Sequence, residues 1–428
     1  MLDIKLIRSN PDFVKAAAKK REFDADAIVD DILKIDAQRR EVTGRVESMK
    51  AEQNAASKKI PQIKKEGGDP SQIMAEMKEL AGKIKECDAE LSELEEKQHS
   101  LLLGLPNMPD EDVCAGGKEN NKPLHYYKEQ PKFDFEPKNH VDLCESLHLI
   151  DYQRGAKLAG AGSWIYTGMG ARLEWALLNY FIDEHIKDGY QLMLVPHMLN
   201  YECGYVAGQF PKFTDEVYWI QNPTSNDKKF LLPTAETALV NLHRDEILTE
   251  DELPKKYIAY TPCYRREAGS YRSEERGMIR GHQFNKVEMV QYTTPDKSDE
   301  AFDELVRKAE HLVQGLGLHY RLSKLAAGDC SFSMARTYDI EVWIPSMGIY
   351  KEVSSASNAR DYQARRGNVK FRDKDKKLQF CHTLNASGLA TSRVMPAIVE
   401  QYQNADGSVT VPEVLRPYMG GIEVIKPE

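Results

Sequence analysis

Two long heptad runs separated by a glycine pair constrain this chain more than any other feature. Ile28, Ile32, Ile35, Val42, Val46, Met49, Ala56 and Ile60 follow alternating steps of four and three, with Arg39 and Gln53 as polar interruptions. Ile73, Met77, Leu80, Ile84, Cys87, Leu91, Leu94 and Leu101 obey the same rule, interrupted by Gln98. That period puts each apolar set on one seam of a helix. Lys65-Glu66-Gly67-Gly68-Asp69-Pro70 lies between the runs. The glycines permit a reversal and Pro70 suits a first helical turn. The reading is an antiparallel two-helix coiled coil over about residues 28–101, each helix roughly 50 Å long at about 1.5 Å per residue.

Charge divides unequally between the two helices. Residues 38–65 hold eight basic side chains (Arg39, Arg40, Arg45, Lys50, Lys58, Lys59, Lys64, Lys65) and three acidic ones, whereas residues 70–101 hold four basic and eight acidic. Mutual attraction across the coiled coil accounts for this. A first helix that faces phosphates accounts for it equally. A seam two helices wide is a poor core and a good lever, and composition leaves its partner open.

The chain as a whole has 428 residues, 29% of them charged, and a net charge of −9. Such a length buries a sizeable core, and the acidic balance excludes a uniformly basic nucleic-acid binder while permitting a local basic surface. Seven cysteines, widely spaced and without a C-x-x-C, suit a reducing, cytoplasmic setting and argue against a disulfide framework or a zinc site. No apolar run is long enough to span a bilayer.

Turn formers from Gly104 to Asp110 mark a boundary, giving an arm over 1–104 and a second domain over 105–428. Beyond it the pattern becomes mixed strands and helices. Arg172 to Lys187 reads as an amphipathic helix, followed by a strand ending at Pro196. Tyr257 to Arg266 and His282 to Tyr292 read as antiparallel strands joined by a long loop. Alternation places Thr261, Cys263, Arg265 and Glu267 on one face of the first, and His282, Phe284, Lys286 and Glu288 on one face of the second. An exposed hairpin carries such residues, and so does a floor that binds phosphate and base: guanidinium for phosphate, an aromatic to stack, carboxylates for amines or hydroxyls. Tyr338 to Pro345 and Tyr350 to Ser357 read as further strands. His382 to Leu389 leads into a helix whose first turn holds Arg393, where a cation opposes the helix dipole and needs solvent or an anion. The P-loop, the dinucleotide fingerprint and the serine-hydrolase and zinc-protease motifs are missing.

These segments together resemble the bacterial-type seryl-tRNA synthetases, class II aminoacyl-tRNA synthetases, over almost the whole length. Tyr264-Arg265-Arg266-Glu267-Ala268-Gly269-Ser270 continuing to Arg280 through Glu288 resembles motif 2, and Gly388-Leu389-Ala390-Thr391-Ser392-Arg393 resembles motif 3. The helix and strand ending at Pro196 resemble motif 1, which forms the family's dimer interface. Thr234-Ala235-Glu236, Glu352-Val353-Ser354-Ser355 and Asn385-Ala386-Ser387 resemble segments found in seryl enzymes in particular.

The resemblance implies an α+β fold: an antiparallel sheet flanked by helices, with a coiled-coil arm projecting from it. It implies a homodimeric serine–tRNA ligase that forms seryl-adenylate from L-serine and Mg·ATP and passes the seryl group to tRNA(Ser), and to tRNA(Sec) where that exists. Arg265 is implied to bind the α-phosphate, Arg280 to face the phosphates and Arg393 to hold the γ-phosphate. ATP is further implied to meet Arg266, Glu267 through its adenine amino group, Phe284 by stacking, and Glu352, Val353, Ser354 and Ser355. Glu352 and Ser355 are the implied Mg²⁺ ligands, and no zinc is expected. Three apart in a regular strand, those two would point oppositely, so a bulge is required. Thr234, Ala235, Glu236, Arg265, Asn385 and Ser387 are implied to line the serine pocket, with Glu288 accepting from the serine hydroxyl. The basic side of the arm (Arg39, Arg40, Arg45, Lys50, Lys58, Lys59) gains the tRNA as its implied partner.

Some positions depart from the family pattern. The motif 2 loop reads Arg272-Ser273-Glu274-Glu275-Arg276-Gly277, Ser392 stands where Gly is usual, Ala356 where Cys is frequent and Ala386 where Gly is frequent. Two rivals follow from the same residues: a paralogue that passes activated serine to an acceptor other than tRNA, and a non-catalytic tRNA-binding paralogue. The full-length arm disfavours the first, and Arg265, Glu267, Glu352 and Arg393 disfavour the second.

Overall fold

The computed structural model describes residues 1–221, 227–267 and 277–427, and its chain divides into two compact units. The first comprises Leu2–Lys19 and Phe23–Pro106. Its helices are α1 (Ile4–Ser9), α2 (Pro11–Lys20), α3 (Asp26–Lys65) and α4 (Ser71–Leu103). Helices α3 and α4 are the two heptad runs, and both extend a little past them. The reversal is built as its residues dictate: Gly67 takes a positive φ of 73° and the Asp69 carboxylate accepts from the Ser71 amide at 2.9 Å. Cross-helix pairs Asp36–Gln98, Arg45–Glu90 and Lys50–Asp88 descend on one helix as they climb on the other, so the pair is antiparallel. Val42, Val46 and Leu94 are buried between them.

The polar breaks in the seam have a cause. Asp36 is fully buried and accepts from Arg8 at 2.8 Å, Arg40 at 3.0 Å and Gln98 at 3.3 Å, with Arg39 3.6 Å away. Gln98 therefore interrupts the heptad to satisfy a buried carboxylate.

The second unit comprises Met1, Lys20–Glu22 and the chain from Asn107 onward. Its centre is an eight-stranded sheet. The strands are β1 (Lys122–Tyr127), β2 (Gln191–Met193), β3 (Lys255–Tyr264), β4 (Gln283–Thr293), β5 (Tyr320–Lys324), β6 (Arg336–Ile344), β7 (Ile349–Arg360) and β8 (His382–Ala390). Their order is β1-β5-β6-β7-β8-β4-β3-β2. Every neighbouring pair is antiparallel except β2 with β3, which is parallel. The fold is thus a largely antiparallel sheet flanked by helices.

One face of the sheet is packed by α5 (Gly168–Lys187), α6 (Ser298–Gly315) and α7 (Thr391–Gln401). Leu173, Leu177 and Phe181 of α5, Phe302 and Leu305 of α6 and Val394 and Ile398 of α7 meet Val287, Met289, Ile340, Val342 and Leu384 of the sheet. The period of two then assigns the neighbouring residues to the opposite face. Lys286 and Glu288 of β4, Thr337, Asp339 and Glu341 of β6, and Asn385 and Ser387 of β8 all line a cavity there.

Candidate active site

The cavity on the polar face has a volume of about 880 Å³. Its deepest polar group is Glu288, 1% exposed. One oxygen lies 2.6 Å from the Lys286 ammonium and accepts from the Thr234 hydroxyl at 3.3 Å; the other accepts from the Asn385 amide at 3.1 Å. Lys286 also donates to Thr234 at 2.8 Å. Glu236 stands beside this group, held by Gln363 at 2.8 Å and Asn385 at 3.3 Å. Burial and then the charge on Glu288 raise the Glu236 carboxyl to about 7. Ser387 pairs with Glu288 across β4 and β8 and lines the cavity, and Ala235 is fully buried in the core behind it. A carboxylate pair with an amide and a hydroxyl at this spacing suits a small ligand bearing an ammonium and a hydroxyl.

A smaller pocket adjoins it, lined by Arg265, Glu267, Arg280, Phe284 and Arg393 among others. The Arg265 guanidinium lies 5.2 Å from the Phe284 ring centroid, and its Nε donates to the Pro233 carbonyl at 3.2 Å. Arg393 donates to the carbonyls of Glu352 at 2.8 Å and Ile279 at 3.3 Å, and approaches the Glu352 carboxylate at 3.5 Å. Its place in a first helical turn is thereby offset by acceptors. Arginines beside an aromatic ring suit a phosphorylated aromatic ligand.

Arg265 and Glu267 come together by a route other than strand alternation. Strand β3 ends at Tyr264, Glu267 has a φ of 51°, and it pairs with the Arg280 guanidinium. Arg266 instead turns to the Asp215 carbonyl, to which it donates at 3.0 Å.

The bulge that the Glu352–Ser355 spacing requires is present. Glu352 faces Glu341 and Ser354 faces Ile340 across β6 and β7, which leaves Val353 without a partner. Val353 joins the core, and Glu352 and Ser355 both line the cavity. Ser354 has another task, its buried hydroxyl donating to the Ser387 carbonyl at 2.6 Å. Asp339, across from Ser355, is 8% exposed, and one of its oxygens has no hydrogen-bond partner among the described residues. Burial and then the Glu352 charge push its carboxyl well above the usual range.

Sequence reasoning placed Lys286 on the right face without assigning it a task, and it missed Gln363, Asp339 and Glu174. Glu174 of α5 accepts from Asn285 at 2.8 Å and Thr391 at 2.6 Å. One carboxylate thus joins the helix, the strand and the helix start that carry motifs 1, 2 and 3. A single Glu on an apolar helix face gave no periodic signal that could have exposed it.

On the arm, Arg39 and Arg40 lie at Asp36, and Arg45 and Lys50 pair with Glu90 and Asp88. Lys58 and Lys59 are exposed and form no ion pair among the described residues. Residues 268–276, with the unusual loop Arg272 to Arg276, lie outside the described residues.

The chain is similar to known proteins over almost its whole length. Residues 1–109 match the seryl-tRNA synthetase N-terminal domain and residues 218–402 the tRNA synthetase class II core domain (G, H, P, S and T). Serine–tRNA ligase 2 of Clostridium acetobutylicum is 62% identical over 423 residues, covering 98% of this chain and 99% of the relative. Serine–tRNA ligase of Thermotoga maritima is 50% identical, covering 99% of this chain and all of the relative. A seryl-tRNA synthetase from Pyrococcus horikoshii, solved in complex with ATP, superposes over the full length of both chains with a TM-score of 0.93 at 34% identity. A cytoplasmic serine–tRNA ligase from Naegleria fowleri, solved with AMP, gives 0.88 at 31% identity, covering all of this chain and 99% of the other.

Proposed function

The chain belongs to the seryl-tRNA synthetases and is a serine–tRNA ligase, and from that premise we propose a reaction and a role for each residue of the cavity. The observation that carries the reading is the convergence of Glu288, Glu236 and Asn385 on one side and Arg265, Phe284 and Arg393 on the other.

L-Serine sits with its hydroxyl donating to Glu288 and its ammonium facing Glu236, while Thr234 and Ser387 complete the pocket. ATP stacks its adenine on Phe284 and presents its amino group to Glu267. Arg265 holds the α-phosphate, Arg280 the phosphates at large and Arg393 the γ-phosphate. A serine carboxylate oxygen attacks the α-phosphorus; the bond to the bridging oxygen breaks and pyrophosphate leaves with the electron pair. The terminal ribose hydroxyl of tRNA then attacks the seryl carbonyl, loses its proton and displaces AMP. Alignment and charge neutralisation dominate the first step, which needs no proton transfer. Ser354 and Val353 support the site from within the sheet.

Glu352 and Ser355, which both line the cavity, would hold the Mg²⁺ that travels with ATP, and the ion would neutralise phosphate charge there. Two protein oxygens suffice for an ion that keeps phosphate and water ligands.

The arm, residues 1–104, grips tRNA, with the body from 105 onward catalytic. Lys58 and Lys59 are its best-placed phosphate ligands. The enzyme acts as a homodimer in the cytoplasm. Exposed Trp175 on α5 and Leu192, Leu194 and Met198 at or beside the edge strand β2 offer the apolar surface that a dimer would cover. No described helix is long and apolar enough to cross a membrane.

The test is ATP–pyrophosphate exchange with each of the twenty amino acids, then charging of total tRNA. Serine-dependent exchange with charging supports the reading. Exchange without charging points to a different acceptor, and neither activity points to a binding-only paralogue.

A further inference from the structure

Two loop segments that line the large cavity are fixed by buried arginines outside the proposed chemistry. Arg21 donates to the carbonyls of Asn107 at 3.0 Å, Met334 at 2.8 Å, Cys330 at 2.9 Å and Ser331 at 2.6 Å. Arg366, between the rings of Tyr205 and Tyr362, donates to the carbonyls of Tyr205 and Phe210, each at 2.9 Å. The segments touch at Gly208, where a side chain would collide with Ser333. Arg366 also donates to the Tyr362 hydroxyl at 3.1 Å, and apart from the helical Tyr205 the carbonyls these two guanidiniums hold lie in irregular backbone, where no helix or strand bond satisfies them.

The rigid rim so formed presents an arrangement that the serine and ATP sites leave unused. The Lys212 ammonium lies 4.6 Å from the Phe332 ring centroid and 5.5 Å from that of Phe213. Both rings line the cavity, and Phe213 is 38% exposed. The rim adjoins the proposed serine pocket: Gln363 donates both to the Ala207 carbonyl at 3.0 Å and to Glu236 at 2.8 Å, and Thr237 donates to Gln209 at 3.1 Å. The adenine of ATP already has Phe284, and serine is too small to reach the rim from Glu288. What must still approach the seryl carbonyl is the end of a single-stranded polynucleotide. Exposed aromatic faces beside a cation are how proteins hold unpaired nucleotides.

We propose that Lys212, Phe213 and Phe332 form the binding site for the terminal nucleotide of the acceptor RNA, its base on the Phe213 ring and its phosphate at the Lys212 ammonium. This rests on the ligase reading above.

The experiment uses the full chain and tRNA(Ser) transcript carrying 2-aminopurine in place of its terminal adenine. Stacking on wild-type protein quenches the fluorescence, F213A loses the quench and F213W restores it. In charging assays, F213A and K212A raise the KM for tRNA by about tenfold, the loss expected of one base–aromatic stack. Serine-dependent pyrophosphate exchange stays within twofold. Quenching that persists in F213A overturns the proposal, and so does a fall in exchange equal to the fall in charging. Absence of exchange in the wild type would sink the ligase reading, while the quench would still report on the rim.

Discussion

The Glu174 carboxylate of α5 accepts the Thr391 hydroxyl of α7 at 2.6 Å, which fixes the start of the helix carrying Arg393 to the helix carrying exposed Trp175. The same oxygen accepts from Asn285 on β4. Burial raises this carboxyl to about 7 against the opposing hydrogen bonds from Thr391 and Asn285.

Replacing Glu174 with Ala should therefore take the acceptor from the half-buried Asn285 amide and leave the Thr391 hydroxyl only the Asn285 carbonyl, at a cost of about 1–3 kcal/mol. E174A is expected to lower Tm and to reduce pyrophosphate exchange at least tenfold as Arg393 loses its footing. E174Q keeps an acceptor oxygen and should retain most of the stability. Wild-type exchange in E174A would show that the three-way junction does not position the site.

The bulge at Val353 makes a sharper case. Deleting Val353 restores regular pairing between β6 and β7 and leaves Glu352 and Ser355 two apart, so both still face the cavity. The deletion should therefore keep exchange, whereas E352A should abolish it at every Mg²⁺ concentration. S355A should only raise the Mg²⁺ needed for half-maximal rate. An E352A variant that is folded by circular dichroism and fully active would remove this pair from the ATP site.

The sequence was legible where a period governed the structure. Heptads gave the arm, and alternation gave the polar face of β4, because each side chain's direction there follows from its place in a repeat. Legibility failed where the backbone leaves the repeat. Glu267 reaches its place through a left-handed residue after β3 has ended, and no alternation predicts that. The need for a bulge could be derived from the three-residue spacing, but its position at Val353 could not, since any residue between Glu352 and Ser355 could have been the one squeezed out. Buried junctions such as Glu174 and Asp36 were invisible for a different reason. The partners that bury them, Asn285 and Thr391 for Glu174 and Arg8 and Gln98 for Asp36, lie on other elements, and a lone carboxylate within a helix reads as solvated.

Glu288 and Lys286 form a buried pair whose two halves differ in consequence. E288A should raise the serine KM at least tenfold with little change in the KM for ATP. It should also lower stability by about 3–5 kcal/mol, because Lys286 is left charged and buried. The double variant K286M/E288Q removes the stranded charge and should recover stability without recovering serine affinity. Equal losses in serine and ATP affinity would refute the hydroxyl assignment.

Glu236 makes a prediction about pH. Its folded carboxyl titrates at about 7, whereas an unfolded one titrates near 4.5. Between those values the folded state binds the proton and the unfolded state does not, so this group's contribution to stability declines as pH rises from 4.5 to 7 and is level above. Serine affinity should move the other way, because the ammonium favours the ionised carboxylate. The serine KM should fall between pH 6 and 7.5. E236Q should flatten both profiles, and an unchanged KM profile in that variant would assign the titration to another group.

The arm separates tRNA binding from its own folding. Asp36 is the buried hub for Arg8, Arg40 and Gln98, so D36A should melt the arm early by leaving those partners unpaired. Arg45 and Lys50 sit in exposed ion pairs worth at most about 1 kcal/mol, so their loss should leave stability almost unchanged. Lys58 and Lys59 are exposed and have no ion-pair partner among the described residues, which suits phosphate. K58E/K59E should weaken tRNA binding and make the plot of log K against log salt shallower by about 2, one for each phosphate that is no longer neutralised. Exchange should be untouched, as it should in a chain lacking residues 30–100, which should no longer charge tRNA. Charging that survives that deletion would mean the coiled coil is not the tRNA grip.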